Sequence, residues 1–303
     1  MIRTIASNVW AFDLEWVPDP ASGRRVYDLP ADMPDEEVLQ VMWANGGASD
    51  DEPQPFLKYT LCRVVSAAIV LRRQRPDGRV TVALAALPHV GNPPLPEREL
   101  ISLFLGQLGR EDPKPQLVGF NSRTADLPIL VQRGIVNGVS AVEFCTRPAK
   151  PWEGADYFAK GYDWHIDIKD IVSGWGKGTP SLHEFAAAAG IPGKIGTTGH
   201  DVHALWRAGN IRRIVEYNQF DALTTYLVWL RMALFAGLLT PETHACEEEY
   251  VRELLARRVA AGDEGQRTLQ FFADRVEGNL LAAHQEIQKL ALLFPPGELG
   301  FDQ

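Results

Sequence analysis

The chain has 303 residues, 46% hydrophobic and 23% charged, a composition that suits one large globular domain or two small ones. Its formal net charge of −9 argues against a simple basic nucleic-acid binder. The charge is uneven, however: residues 18–60 carry 9 acidic and 3 basic side chains, residues 241–303 carry 12 and 6, and the remainder 18 and 21. The remaining core is mildly basic and admits a polyanionic substrate. No apolar run is long enough to span a bilayer, and MIRTIASNVWAFDLEW at the start lacks the apolar stretch and cleavage site of a signal peptide. A cytoplasmic protein without membrane association is expected. Cys62, Cys145 and Cys246 are odd in number and far apart, with no C-x-x-C spacing. This predicts three reduced, packed thiols and neither a disulfide framework nor a zinc knuckle.

In chain order, the first strand is expected over Val9 to Leu14. The Pro- and Asp-rich stretch from Pro18 to Thr60 reads as an acidic insertion or ordered loop, with one helix near Asp35 to Trp43. Two β-like runs follow, Cys62 to Leu71 and Arg79 to Leu87, joined by a Pro-Asp-Gly turn. A helix is predicted over Pro96 to Leu108, a short buried strand over Gln116 to Phe120 and a helix from Thr124 to Arg133. A strand from Trp164 to Ile168 precedes a helix capped by Ser181 and ended by Gly190. From Val202 onward the periodicity is helical almost to the end. Three antiparallel strands followed by alternating helix and strand predict an α/β mixed sheet.

Four carboxylates fall where these elements could bring them together. Asp13 and Glu15 close the apolar run WAFDLEW, and residues two apart on a strand share a face. Asp126 stands at a helix entry in GFNSRTADLPIL. Asp221 lies within IVEYNQFDALTTYLVWL, where Tyr217, four residues earlier, shares its helical face. Such oxygens suit hard cations such as Mg²⁺ or Mn²⁺, two of which can assist an in-line phosphoryl displacement. Each segment taken alone has a plainer explanation. Asp13 and Glu15 could be solvated strand-end carboxylates, Asp126 an acid at a helix N-terminus, and Tyr217 with Asp221 a surface i,i+4 pair.

The three motifs in this order are D-x-E at a strand end, Asn121 followed by Asp126, and Tyr-x-x-x-Asp from Tyr217 to Asp221. Together they resemble the DnaQ-like 3′–5′ exonucleases of the DEDD superfamily, in the tyrosine branch. The histidine branch would place His where this chain has Glu216. HIDIKDIVSGWGKGTPSLHEFAAAAGIPGK and DVHALWRAGNIRRIVEYNQFDALTTY look like bacterial predicted exonucleases related to the proofreading domain of family-B DNA polymerases. The resemblance covers roughly residues 5–240 and departs from the pattern at Ala125, where an aromatic residue is frequent, and at Phe220, where the relatives have a polar one. It implies a ribonuclease H-like fold and two bound Mg²⁺ or Mn²⁺ ions, bridged by Asp13. Glu15 and Asp221 would complete the site for the attacking water, Asp126 would support the second ion, and Tyr217 would orient the water. The implied substrate is the 3′ end of single-stranded nucleic acid, DNA ahead of RNA, released as nucleoside 5′-monophosphates. With no polymerase region in the sequence, a free-standing DNA repair or degradation role is expected.

Leu14, Trp16, Asn121 and Arg123 are candidate substrate contacts, with Trp16 either stacking on a terminal base or serving as a rim tryptophan. Lys177 and Lys194 are further phosphate-contact candidates. His200 and His203 lack a second pair at zinc-site spacing, and GWGKG lacks the features of a P-loop. Residues 1–240 are read as the exonuclease domain and 241–303 as a helical extension. Within that extension, Glu277 to Leu299 resembles a short segment of bacterial clamp-loader delta subunits. It would either pack on the core or dock a replication or repair protein. Two rival functions stay open: a nucleic-acid-binding module with little turnover, and an interaction protein acting through its tail.

Overall fold

The sequence NVWAFDLEWVP forms β1 (Asn8–Pro18), the central strand of a five-stranded sheet. The computed structural model describes residues 2–150, 152–173, 178–192, 201–261 and 274. After β1 the chain forms α1 (Pro20–Tyr27) and α2 (Asp35–Gly46), then β2 (Cys62–Gln74) and β3 (Val80–Leu87). α3 (Glu97–Arg110) leads to β4 (Gln116–Gly119). α4 (Asp126–Val136) and α5 (Val142–Cys145) lead to β5 (His165–Asp167). The strand order is β3-β2-β1-β4-β5. β1, β2 and β3 pair antiparallel, while β4 and β5 run parallel to β1. This is the predicted α/β arrangement, three antiparallel strands followed by parallel ones, with helices on both faces.

The remaining described helices are α6 (Ile168–Val172), α7 (Leu182–Ala188), α8 (Asp201–Arg207), α9 (Ile211–Phe235) and α10 (Pro241–Ala260). α7 begins at a capping box formed by Ser181 and Glu184 and is followed by Gly190 in the left-handed region, as expected. The predicted strand through Ile168 is shorter, because Asp167 caps α6 by accepting from the Lys169 amide. Alternation along β1 divides the interior. Val9, Ala11 and Val17 join the core formed with α9 and α10, while Trp10, Phe12 and Leu14 pack against α2, α3 and α4.

One irregularity interrupts the β1–β2 ladder. Glu15 faces Ser66 but Trp16 faces Val64, leaving Val65 as the extra residue of a bulge. Val65 and Ala68 therefore belong to the α9-side core, and Cys62, Val64 and Ala67 to the other.

The stretch after β1 holds two helices where the sequence predicted one. They cross closely at Gly23, where a Cβ would come within 2.5 Å of Met42 Sδ. The base of this segment is fastened by Arg133 of α4. Its guanidinium donates to Asp19 Oδ2 (2.8 Å), Ser22 Oγ (2.8 Å) and both carboxylate oxygens of Glu97 (2.6 and 2.8 Å). All four side chains are buried. The thiol expectation holds for buried Cys62 and is corrected for Cys145 and Cys246, which are exposed. Cys145 is the last residue of the short α5, and Cys246 stands on the outward face of α10.

α10 is likewise fastened by a buried charge pair. Arg72 of β2 donates to both oxygens of Glu247 at 2.7 and 2.6 Å, and Tyr226 Oη of α9 donates to Glu247 Oε2 at 3.1 Å. The segment resembling clamp-loader delta subunits lies outside the described residues. Among the described residues no helix is long and apolar enough to cross a membrane. Glu247→Ala would leave Arg72 charged and uncompensated, so it should destabilise the fold by about 3–5 kcal/mol. Urea denaturation of the two proteins measures this, and an unchanged midpoint with an unchanged slope contradicts it.

Candidate metal centre

α9 packs on the face of β1 that carries Asp13 and Glu15. Asp13 and Glu15 point toward α9, and Tyr217 and Asp221, one helical turn apart on α9, face them. Carboxylate oxygens of Asp13, Glu15 and Asp221 lie within 4.8 Å of one another. Glu15 and Asp221 are buried and Asp13 is partly buried. Asp126 reaches the site from the first turn of α4, and its Oδ1 accepts a hydrogen bond from the Leu14 amide at 3.1 Å. It stands outside the trio, although its charge acts on Asp13.

Desolvation, followed by the charges of Asp126, Glu15 and Asp221, pushes the Asp13 carboxyl well above the usual range. Desolvation also raises Asp126, to about 7, against the pull of its own backbone amide and that of Leu14. Asn218 opposes the shift at Asp13 by donating from Nδ2 to its Oδ2 at 2.7 Å. The Tyr217 hydroxyl is raised above its ordinary value by burial, then by the charges of Asp221, Glu15 and Asp13, and it hydrogen-bonds to Asp221. Such mutual repulsion is the condition that a hard divalent cation relieves, and an all-oxygen donor set is what Mg²⁺ and Mn²⁺ prefer. The residues present therefore fit a metal centre.

The loop that delivers Asp126 is tightly held. Asp167, at the end of β5, accepts from the amides of Asn121 and Arg123, each at 2.8 Å. Asn121 sits at φ 65°, a left-handed conformation that Asn tolerates better than most residues. Gly119 is required before it, because a Cβ there would lie 2.3 Å from Ser122 Oγ. Ser122 Oγ in turn bonds His165 Nε2 at 2.9 Å.

These groups open into a cleft of about 580 Å³ that Leu14, Trp16, Phe120 and Asn121 line together with the four carboxylates and Tyr217. Ala125, one of the departures from the family pattern, is buried and also lines it. The other departure, Phe220, is buried in the core on the α9 side. Arg123 does not line the cleft: its Nε bonds Asp170 at 3.0 Å and its Nη2 the His165 carbonyl at 2.9 Å. Its guanidinium thus anchors the loop to β5, which replaces the expected free phosphate contact. Trp16 meets Tyr59 edge-on, at 5.8 Å between ring centroids. Lys177, Lys194 and His200 lie outside the described residues, as does most of GWGKG. His203 is described, meets the Trp43 ring edge-on at 5.6 Å and lines the same cleft.

Sequence reasoning missed Asn218, Asp167 and the aromatic wall that Trp43 and Phe56 supply from the segment after β1. Asn218 carried a usable signal. An Asn inside a strongly apolar helix is disfavoured unless its amide has partners, and here Ser66 Oγ at 3.0 Å and Asp13 satisfy it.

A family model described as a predicted 3′–5′ exonuclease related to the exonuclease domain of PolB matches residues 54–275. That stretch contains Asp126, Tyr217 and Asp221, whereas Asp13 and Glu15 precede it. Among solved structures, the family B DNA polymerase from the hyperthermophilic archaeon Pyrobaculum calidifontis is similar at 19% identity with a TM-score of 0.43. The similarity covers 85% of this chain and 30% of the polymerase chain, so this chain spans under a third of that protein. No curated protein sequence matches. By the family match, which takes in well over half of its length, this chain belongs to the predicted 3′–5′ exonucleases related to the exonuclease domain of PolB.

Proposed function

We propose that the chain is a metal-dependent 3′–5′ exonuclease of the tyrosine branch. It would shorten single-stranded nucleic acid, DNA ahead of RNA, and release nucleoside 5′-monophosphates. The observation that carries this reading is the convergence of Asp13, Glu15 and Asp221 within 4.8 Å, with Tyr217 hydrogen-bonded to Asp221. Asp13, Glu15 and Asp221 would hold one divalent cation, and Asp13 with Asp126 would support a second. Bound Mg²⁺ or Mn²⁺ supplies Lewis acidity, lowering the pKa of a coordinated water and neutralising charge on the displaced oxygen.

The protein side chains have separable tasks. Asn218 fixes the Asp13 carboxylate through one oxygen and leaves the other free. Asp126 is fixed by its own backbone amide and by that of Leu14. Burial and the carboxylates of Asp221, Glu15 and Asp13 all favour Tyr217 in its protonated form. It donates to Asp221, and its oxygen lone pairs are left to accept from the attacking water. Tyr217 is thus a water-orienting group and not a general base. Trp16, Phe120 and Asn121 supply the cleft walls against which the terminal nucleotide would lie.

Asp13→Ala is expected to abolish Mg²⁺- or Mn²⁺-dependent shortening of a 5′-labelled single-stranded oligonucleotide; undiminished shortening in that variant sinks the assignment. Tyr217→Phe should lower kcat by about 10²-fold, the scale of one positioned catalytic group, and an unchanged rate rejects the water-orienting role. Asn218→Ala should reduce the rise in melting temperature that Mn²⁺ gives the wild-type protein, because Asp13 loses its fixed orientation. It should also cost about 1–3 kcal/mol of stability by leaving Ser66 unpaired in the interior. A Mn²⁺-induced shift equal to that of the wild type rejects the orienting role.

A further inference from the structure

We infer that Arg63 and Trp206 form a contact for the substrate strand upstream of its reacting end, a subsite that takes the phosphate and base of a single-stranded nucleic acid. This deepens the nuclease reading and rests on it. Arg63 pairs with Val17 across the β1–β2 ladder. It therefore lies on the same face of the sheet as Asp13 and Glu15, roughly 7 Å further along the strand than Glu15.

There a second cleft, of about 640 Å³, adjoins the first, and Pro18 and His203 line both. Arg63, Trp206 and Arg207 line it on one side, and Asp35 and Glu36 of α2 on the other. The two acids are already neutralised. Asp35 pairs with Arg24 at 2.6 Å, and Glu36 with Arg207 at 2.5 Å.

Arg63 has no hydrogen bond or ion pair among the described residues, and its Nε is enclosed without a partner. Its guanidinium carbon lies 5.1 Å from the centroid of the Trp206 ring. The ring orients the cation, whose Nη donors, unlike Nε, are not enclosed. An unpaired guanidinium suits a phosphate, and an adjacent indole suits an unpaired base, as in other single-strand grooves.

The test is binding, read separately from cleavage. A fluorescein-labelled oligothymidylate of about twelve nucleotides, within the span that single-strand grooves cover, is titrated with full-length protein. Fluorescence anisotropy is recorded with Ca²⁺ in place of Mg²⁺, between about 50 and 200 mM salt. Arg63→Ala should weaken binding about tenfold at low salt, on the scale of one charged hydrogen-bonded contact. It should also flatten the slope of log affinity against log salt by about 0.7, the loss of one phosphate contact on a single strand. Arg63→Lys should keep the wild-type slope, and Arg75→Ala, at an exposed position beside the β2–β3 turn, should match the wild type throughout. Wild-type affinity and slope in Arg63→Ala, an equal effect in Arg75→Ala, or no binding by the wild-type protein overturns the subsite. Binding that follows the expected pattern, with no shortening of the strand in Mg²⁺ or Mn²⁺, supports the subsite and overturns the nuclease reading instead.

Discussion

Three carboxylates held within 4.8 Å of one another repel, and much of the surrounding structure serves to keep them there. A central strand buried on both faces cannot rotate Asp13 and Glu15 away without exposing Trp10, Phe12 and Leu14. α9 is buried along nearly its full length, which fixes Asp221 and Tyr217 with equal firmness. Hydrogen bonds then act where packing does not: Asn218 on Asp13, the Leu14 amide on Asp126, and Tyr217 on Asp221. The energetic tension at the centre is tolerated because each ligand belongs to an element with its own apolar anchorage.

The same logic extends to the two acidic parts of the chain. The segment after β1 is tied to α3 and α4 through Asp19, Ser22, Glu97 and Arg133. α10 is tied to β2 and α9 through Glu247, Arg72 and Tyr226. In both cases the charges that hold the segment are buried and paired with one another, whereas many of the surplus acids, such as Asp32, Asp50 and Asp51, are exposed. A net-charge count over sequence windows cannot separate these two populations. It describes the outer surface of those segments and says little about the walls of the cleft.

What was legible in the sequence was whatever has a local period or spacing. The strands show as apolar runs, the capping box as Ser181 and Glu184, and the carboxylates as D-x-E and Tyr-x-x-x-Asp. What was not legible depends on partners distant in the chain. Asp167 reads as the end of a short strand until its bonds to the Asn121 and Arg123 amides are seen, more than forty residues away. Arg123 reads as a free cation until Asp170 and the His165 carbonyl claim it. α1 was hidden by its Pro, Ser and Gly content, which favours turns locally. Only the close crossing of Gly23 over Met42 explains why a helix with that composition is useful there.

The bulge at Val65 has a consequence for how this strand can vary. Because it shifts the phase of β2 by one residue, the two halves of the strand distribute their side chains between the cores by opposite parity. Without the extra residue Val64 would directly adjoin Ser66, and the existing pairs of Trp16 with Val64 and Val17 with Arg63 would simply continue the regular alternation. A deletion inside the regular ladder, at Ala68 for example, would instead carry Ala67 out of its apolar surroundings and drive the Ser66 hydroxyl toward the cluster around Leu14. The strand can thus absorb the loss of a residue at the bulge but not within the regular ladder, a constraint that point mutagenesis alone would never expose.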